Sequence, residues 1–168
     1  MKIFARIIIA TLALVSLIFL LDRYCIRYPE YVLHKKGISK SDILLTENKD
    51  DFNIYLYKKD KNKIGLINLF KQTSQSKEWK VYTNEIEKMD KSVILTTHYG
   101  FVANGKPEVA SIIAGSAITK SSKDIKLRID DKLVIPAITK NEDNGTVYFL
   151  TDLGYFQGSK NIEIVESP

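Results

Sequence analysis

The chain is 168 residues long, with 25 Lys or Arg against 20 Asp or Glu, which leaves room for one compact domain and an appendage but not for two full domains. Aliphatic and aromatic residues are plentiful and there are only 8 Gly and 4 Pro, which excludes the disordered class. The formal charge of +5 invites a nucleic-acid reading, but from Glu30 onward 21 basic residues face 19 acidic ones and Arg128 is the only arginine. Nucleic-acid readers lean on the planar, two-pronged guanidinium, so the composition argues against that partner.

The first predicted element is a membrane helix. Ile7 to Leu21 is fifteen residues without a charge, and Ile3 to Arg6 extend the run to nineteen. At about 1.5 Å per residue this spans roughly 28 Å, close to the hydrocarbon thickness of a bilayer. Signal-peptide cores run about 7–15 residues, and cleavage requires small residues at the exit. Here the exit reads Asp22-Arg23-Tyr24-Cys25-Ile26-Arg27-Tyr28. The expectation is therefore an uncleaved anchor: residues 1–28 form a cytoplasmic tip and a transmembrane helix, with a cleaved, secreted product as the alternative. Tyr24, Tyr28 and Tyr31 suit the aromatic belt where such a helix meets water.

Orientation pulls two ways. Counting Lys2 and Arg6 against Arg23, Arg27, Lys35, Lys36 and Lys40 favours a cytoplasmic domain, whereas a short basic start before an apolar core normally translocates the remainder of the chain. The expected arrangement places the domain outside the cytoplasm, at the cell membrane. Cys25 is the only cysteine, so an intramolecular disulfide and a cysteine metal cluster are excluded. The charged and bulky residues before it argue against lipidation.

Residues 29–42 read as a juxtamembrane stalk, with a short helix from Pro29 to Lys36 ended by Gly37. Residues 43–168 read as one extracytoplasmic β domain, two subdomains meeting near Asn84–Lys91 being the alternative. From Ile43 the period is two rather than 3.6. Ile43 to Thr46, Phe52 to Tyr57, Ile64 to Phe70 and Trp79 to Thr83 are β-prone runs joined by polar turns, which predicts an antiparallel meander. Asn84 to Asp90 is polar, with Ile86 and Met89 as its buried positions, and reads as a helical turn.

Strands resume at Ser92 to Thr97. Asn104-Gly105 predicts a tight hairpin, and Pro107 is expected to stop pairing before Val109 to Ala114. Ile125 to Ile129, Leu133 to Ile138, Thr146 to Leu150 and Ile162 to Val165 come next, with turns at Asp130-Asp131-Lys132 and Asn144-Gly145. Nine to eleven short strands predict a mainly antiparallel all-β fold, its second half an immunoglobulin-like sandwich or partly open barrel.

Residues that carry chemistry are scarce. The two histidines are His34, in the stalk, and His98, at a strand end. Nucleophilic catalysis needs a nucleophile, a base and an orienting group, and Gly115-Ser116-Ala117 lacks the glycine spacing of a nucleophile elbow. Asp60-Lys61-Asn62 and Asn141 to Gly145 depart from the calcium-loop order and read as hairpin turns, and Asn144-Gly145-Thr146 has the form of a glycosylation sequon. Asp50-Asp51 and Asp130-Asp131 are neighbours whose side chains alternate in direction on a strand, which makes them poor acid–base partners. Tyr148, Phe149, Tyr155 and Phe156 form an aromatic set suited to core packing or to a binding rim. No catalytic, cofactor-binding or metal-ligating residue is predicted, and the protein is not expected to be an enzyme.

The succession Asp42-Ile43-Leu44, Ile54-Tyr55-Leu56-Tyr57, Gly65 to Lys71 and Trp79-Lys80-Val81 resembles small uncharacterised membrane-anchored extracytoplasmic proteins of low-GC Gram-positive bacteria. The likeness covers the anchor and about Asp42–Val81, implies an external location, and transfers no functional residue. The functional expectation is a non-enzymatic binding or accessory module at the cell envelope. It would meet the bilayer through its N-terminal helix and an envelope protein or cell-wall component through its domain. An immunity or stress-protection protein against membrane-active peptides, and a hydrolase using His98, are the alternatives.

Overall fold

A computed structural model of the chain describes residues 2–49, 51–71, 76–89, 92–103, 106–119, 125–143, 145–155 and 161–166. Helix α1, Lys2–Cys25, is apolar on every side, and no residue of its most apolar stretch, within Arg6–Cys25, is buried. It is long and apolar enough to cross a bilayer. A one-turn linker leads to α2, Pro29–Lys35, where proline occupies the first turn and Gly37, at φ 71°, lies just past the helix end. A short 3-10 turn, Lys40–Asp42, is closed by a capping box in which Ser39 and Asp42 satisfy each other's backbone N–H groups.

Eleven strands complete the fold among the described residues: β1 Ile43–Asn48, β2 Phe52–Asp60, β3 Lys63–Lys71, β4 Trp79–Lys88, β5 Val93–Ala103, β6 Lys106–Ile118, β7 Ile125–Ile129, β8 Lys132–Val134, β9 Ile138–Asn141, β10 Thr146–Tyr155 and β11 Ile162–Glu166. They form three sheets, ordered β1-β2-β3-β4, β5-β6-β10-β9 and β11-β7-β8, with every pairing antiparallel. The first sheet is the expected meander. The expected mainly antiparallel β class holds, and none of these sheets closes into a barrel.

The layers explain which strands are apolar on both faces. Ile54, Leu56, Ile64 and Leu66 of the first sheet pack against Val93, Leu95, Ile112, Ala114, Tyr148 and Leu150 of the second. On its other side the second sheet turns Ile113, Ala117, Val147 and Phe149 toward Ile125, Leu127 and Ile129 of the third. The outer face of the first sheet, with Tyr55, Tyr57, Ile67, Leu69 and Trp79, is covered by Val32 and Leu33 of α2 and by Ile38. The stack therefore runs α2, first sheet, second sheet, third sheet. Strands β2, β3, β6 and β10 lie in layers covered on both sides, so their apolar residues run consecutively instead of alternating.

Two close approaches occur inside the first and second sheets. Gly65 pairs across the ladder with Tyr57 and Gly115 with Phe149. A Cβ on Gly65 would lie 2.3 Å from Tyr57 Cζ, and one on Gly115 would lie 1.9 Å from the Val93 carbonyl oxygen and 2.8 Å from Phe149 Cζ. Each aromatic ring occupies the space its cross-strand glycine leaves, the arrangement that rescues a glycine inside a sheet.

Several expectations are corrected. Within residues 29–42, read above as a juxtamembrane stalk, Val32, Leu33 and Ile38 are buried, because α2 and Ile38 cover the outer face of the first sheet. Residues Asn84 to Lys88 are not a helical turn but continue β4, and Ile86 is 41% exposed. Their pairing with β3 rests on backbone hydrogen bonds along a sheet edge, which apolar patterning does not reveal. Pro107 does not stop pairing; it lies within β6 opposite Val102. The β10 ladder on β6 ends at the Ala110–Tyr155 pair, so among the described residues β6 has a single paired neighbour at Pro107, and a missing N–H is tolerated on such a side. The segment Leu133 to Ile138 is split at Pro136 into β8 and β9, which belong to different sheets.

The strand order of the second half also differs from the immunoglobulin pattern, in which the sixth and seventh strands lie together beside the third. Here the sixth, β10, pairs with β6 and β9, while β11 pairs with β7. A strand buried on both faces belongs in the middle layer, and β10 carries apolar residues on both. The turn at Asn104-Gly105 lies outside the described residues, although Ala103 and Lys106 pair on either side of it.

Candidate functional site

Three places bring polar chemistry together. The first is the junction between α1 and the domain. Asp22, near the end of α1, accepts hydrogen bonds from the Tyr31 hydroxyl and the Lys35 ammonium of α2. Tyr31 and Lys35 are four apart and share one helix face, while Val32 and Leu33 turn the other way into the core. The Trp79 N–H of β4 donates to the Ile26 carbonyl at 3.0 Å, joining the linker to the sheet. Lys35 lies 5.3 Å from the Tyr31 ring centre and Lys71 lies 4.6 Å from that of Trp79. The hydrogen bond to Asp22 raises the pKa of both Tyr31 and Lys35. Beside this clasp Val15, Ile18, Phe19, Asp22, Cys25 and Tyr31 line a groove on the flank of α1. The sequence signal for the clasp was the lone acid beside the anchor, with Tyr and Lys at helical spacing after it.

The second place is a cleft of about 210 Å³ at one end of the interface between the first and second sheets, lined by Lys58, Lys61, Met89, Ser116, Thr146 and Tyr148. The Tyr148 hydroxyl donates to Glu142 Oε2 at 3.3 Å, and Lys58 Nζ reaches both Glu142 oxygens at 3.4 Å. Burial, reinforced by the Glu142 carboxylate, pushes the Tyr148 phenol up to about 12. It is neutral at physiological pH and acts there as a hydrogen-bond donor. At the opposite end of β2, Lys49 bonds Asp152 at 2.9 Å and Glu47 at 3.2 Å. Its ammonium is held charged chiefly by the hydrogen bond to Asp152. Lysines beside the first sheet thus reach carboxylates of the second-sheet region at both ends.

The third place is His98. Its Nδ1 lies 2.9 Å from Ser111 Oγ, its partner across the β5–β6 ladder. His98 is exposed and Ser111 is buried. A histidine and a serine opposite each other on adjacent strands meet through pairing alone, and hydroxyl activation further requires a group that orients the imidazole. Below them Asn68, fully buried, donates from Nδ2 to the His98 carbonyl at 3.3 Å.

The remaining residues singled out in the sequence resolve into structural positions. Asp60 Oδ1 accepts the Asn62 N–H at 2.9 Å within the β2–β3 turn. Asp130, at φ 51°, shapes the β7–β8 turn. Asp51 contributes its carbonyl to the Lys71 N–H at 2.9 Å, whereas Asp50 lies outside the described residues. Tyr148 and Phe149 are core residues, and the Tyr155 side chain, Phe156 and Asn144 lie outside the described residues. His34 is exposed on α2. No group of three or more His, Cys, Asp or Glu fit to hold a metal occurs among the described residues. Comparison with protein-family models, with curated proteins and with solved structures finds no match to this chain.

Proposed function

We propose that this protein is a single-pass membrane protein that presents its β domain outside the cytoplasm as a non-enzymatic binding or accessory module of the cell envelope. The observation that carries the reading is the contrast between α1, exposed along its whole apolar stretch, and a domain whose own core is closed by α2 and three sheets. Large apolar side chains such as Phe4, Ile9 and Phe19, each more than 60% exposed, are unfavourable in water and at home in hydrocarbon. The clasp at Asp22 supports an uncleaved helix, because cleavage before Asp22 would leave the clasp with no anchor to hold. The resemblance to small uncharacterised membrane-anchored extracytoplasmic proteins of low-GC Gram-positive bacteria favours the external side.

The partner is an envelope protein or a cell-wall component. Leu133 in β8, an edge strand of the outermost sheet, is 59% exposed, and Ile135 just past its end is 73% exposed; an edge with exposed apolar side chains suits strand addition by a partner segment. Protease digestion of intact cells and of opened membranes tests the reading. The domain is expected in the membrane pellet and digested without opening the cells. Mature product free in the medium, or digestion only after opening, would sink it.

A further inference from the structure

We propose that the junction between α1 and the domain is a binding surface for anionic lipid headgroups. The inference rests on the anchored reading and goes on to say which lipids the anchor meets. Its first support is where the charge lies. From Asp22 to Lys40 five cations (Arg23, Arg27, Lys35, Lys36 and Lys40) face two carboxylates, Asp22 and Glu30. From Ser41 to Pro168 the counts are 18 basic and 18 acidic. The net charge of the chain therefore resides entirely in its first 40 residues, and the domain beyond them is electroneutral. One of the two junction carboxylates, Asp22, is engaged by Lys35 and Tyr31, which leaves the other cations facing outward.

The second support is position. Arg23 and Arg27 are exposed, two and six residues after Leu21, the last residue of the apolar run. The Arg23 side chain thus starts at the level of the lipid phosphates, with Arg27 about one turn further out. Arg23 lies 5.7 Å from the Phe19 ring centre and Arg27 lies 5.3 Å from that of Tyr24, a stacking that holds a guanidinium at the interface without consuming its hydrogen-bond donors. Tyr24 and Tyr28, about half exposed, add the amphipathic rings that settle at this depth. The clasp of Asp22 by Tyr31 and Lys35 holds α2 against the end of α1, which keeps Lys36, next to Lys35 in sequence, close to these arginines instead of on a loose tether. The groove along Val15, Ile18 and Phe19 ends at Asp22, Cys25 and Tyr31, and Phe19 also carries the Arg23 guanidinium over its ring, so the groove suits the acyl chain of a lipid whose phosphate meets Arg23.

The test uses the full chain reconstituted into vesicles of phosphatidylcholine alone or mixed with phosphatidylglycerol, with spin-labelled versions of both lipids reporting which is immobilised by protein. The expected result is an enrichment of phosphatidylglycerol over phosphatidylcholine of about threefold or more, reduced by high salt. The triple variant Arg23→Gln, Arg27→Gln, Lys36→Gln is expected to float with both vesicle types and to bring the enrichment close to one. Lys126→Gln, Lys132→Gln, Lys140→Gln, an equal charge change remote from the junction, is expected to leave it intact. No enrichment in the wild-type chain, or equal loss in both triple variants, would overturn the proposal while leaving the anchor standing. Loss of the preference in phosphate but not in chloride of matched ionic strength would assign the surface to a soluble anion and also overturn it. A wild-type chain that fails to float even with neutral vesicles would defeat the anchored reading, and this proposal with it.

Discussion

Helix α1 and strands β2, β3 and β10 are alike in being apolar on more than one side, yet no residue of the most apolar stretch of α1 is buried while the strands are among the most buried parts of the molecule. The difference lies in what covers each surface. The strands sit in a stack of layers that removes both their faces from water. For α1 no residue of its most apolar stretch is covered by the fold, a surface that a bilayer would match under the anchored reading proposed above. Apolar character on all sides is thus one signal with two meanings, separated by length: roughly twenty residues fit a bilayer and about three to ten fit a strand.

The contrast yields predictions in descending size. Phe149→Ala removes a fully buried ring between the second and third sheets and leaves Gly115 unfilled. Denaturant unfolding of the domain is expected to lose about 3–5 kcal/mol, and a loss under 1 kcal/mol would mean that the third sheet is not closely packed. Leu14→Arg, at the exposed middle of α1, is expected to cost about 2.5–3.5 kcal/mol of membrane insertion with the β circular-dichroism signal unchanged. Unaltered partition would break the parallel between helix and bilayer. Gly115→Ala is expected to destabilise by about 1–3 kcal/mol and by more than Gly65→Ala, because the first meets a backbone carbonyl and the second a tyrosine ring able to shift. The reverse order would place the strain in the first sheet.

Two smaller effects concern the polar ends of the core. Burial raises both Tyr55 and Tyr148 to about 12 from an ordinary value of 10.0. Their folded-state preference for the neutral phenol therefore contributes in full below pH about 10 and is lost as the pH rises through about 12. Tyrosinate absorbance followed alongside circular dichroism is expected to show these phenols ionising late and together with loss of structure. Early ionisation would mean that they are solvated. Lys49→Met, which breaks a partly exposed ion pair with Asp152, is expected to cost less than about 1 kcal/mol after screening, as a urea midpoint would show.

Much of the secondary structure was legible because its signals are local. β-prone runs bounded by polar turns located β1, β2, β3 and the start of β4, and Asp130-Asp131 and Gly145 marked turns. The errors share one cause. Asn84 to Lys88 and Pro107 take their conformation from a neighbouring strand, and residues 29–38 take theirs from a sheet face that needs cover. None of these causes is written in the segment itself. The site was less legible still: His98 meets Ser111, and Lys58 meets Glu142, only through pairings that span 13 and 84 residues.

The sequence by itself determined the apolar span of α1, the antiparallel β class and the meander of the first sheet, since hydropathy over a window and alternation over a strand are properties of adjacent residues. Only the tertiary structure decided the order of the layers, the departure from the immunoglobulin strand order and the clasp of Asp22 by Tyr31 and Lys35. These depend on which distant surfaces bury one another best. That free energy is summed over the whole fold and carried by no single stretch of chain.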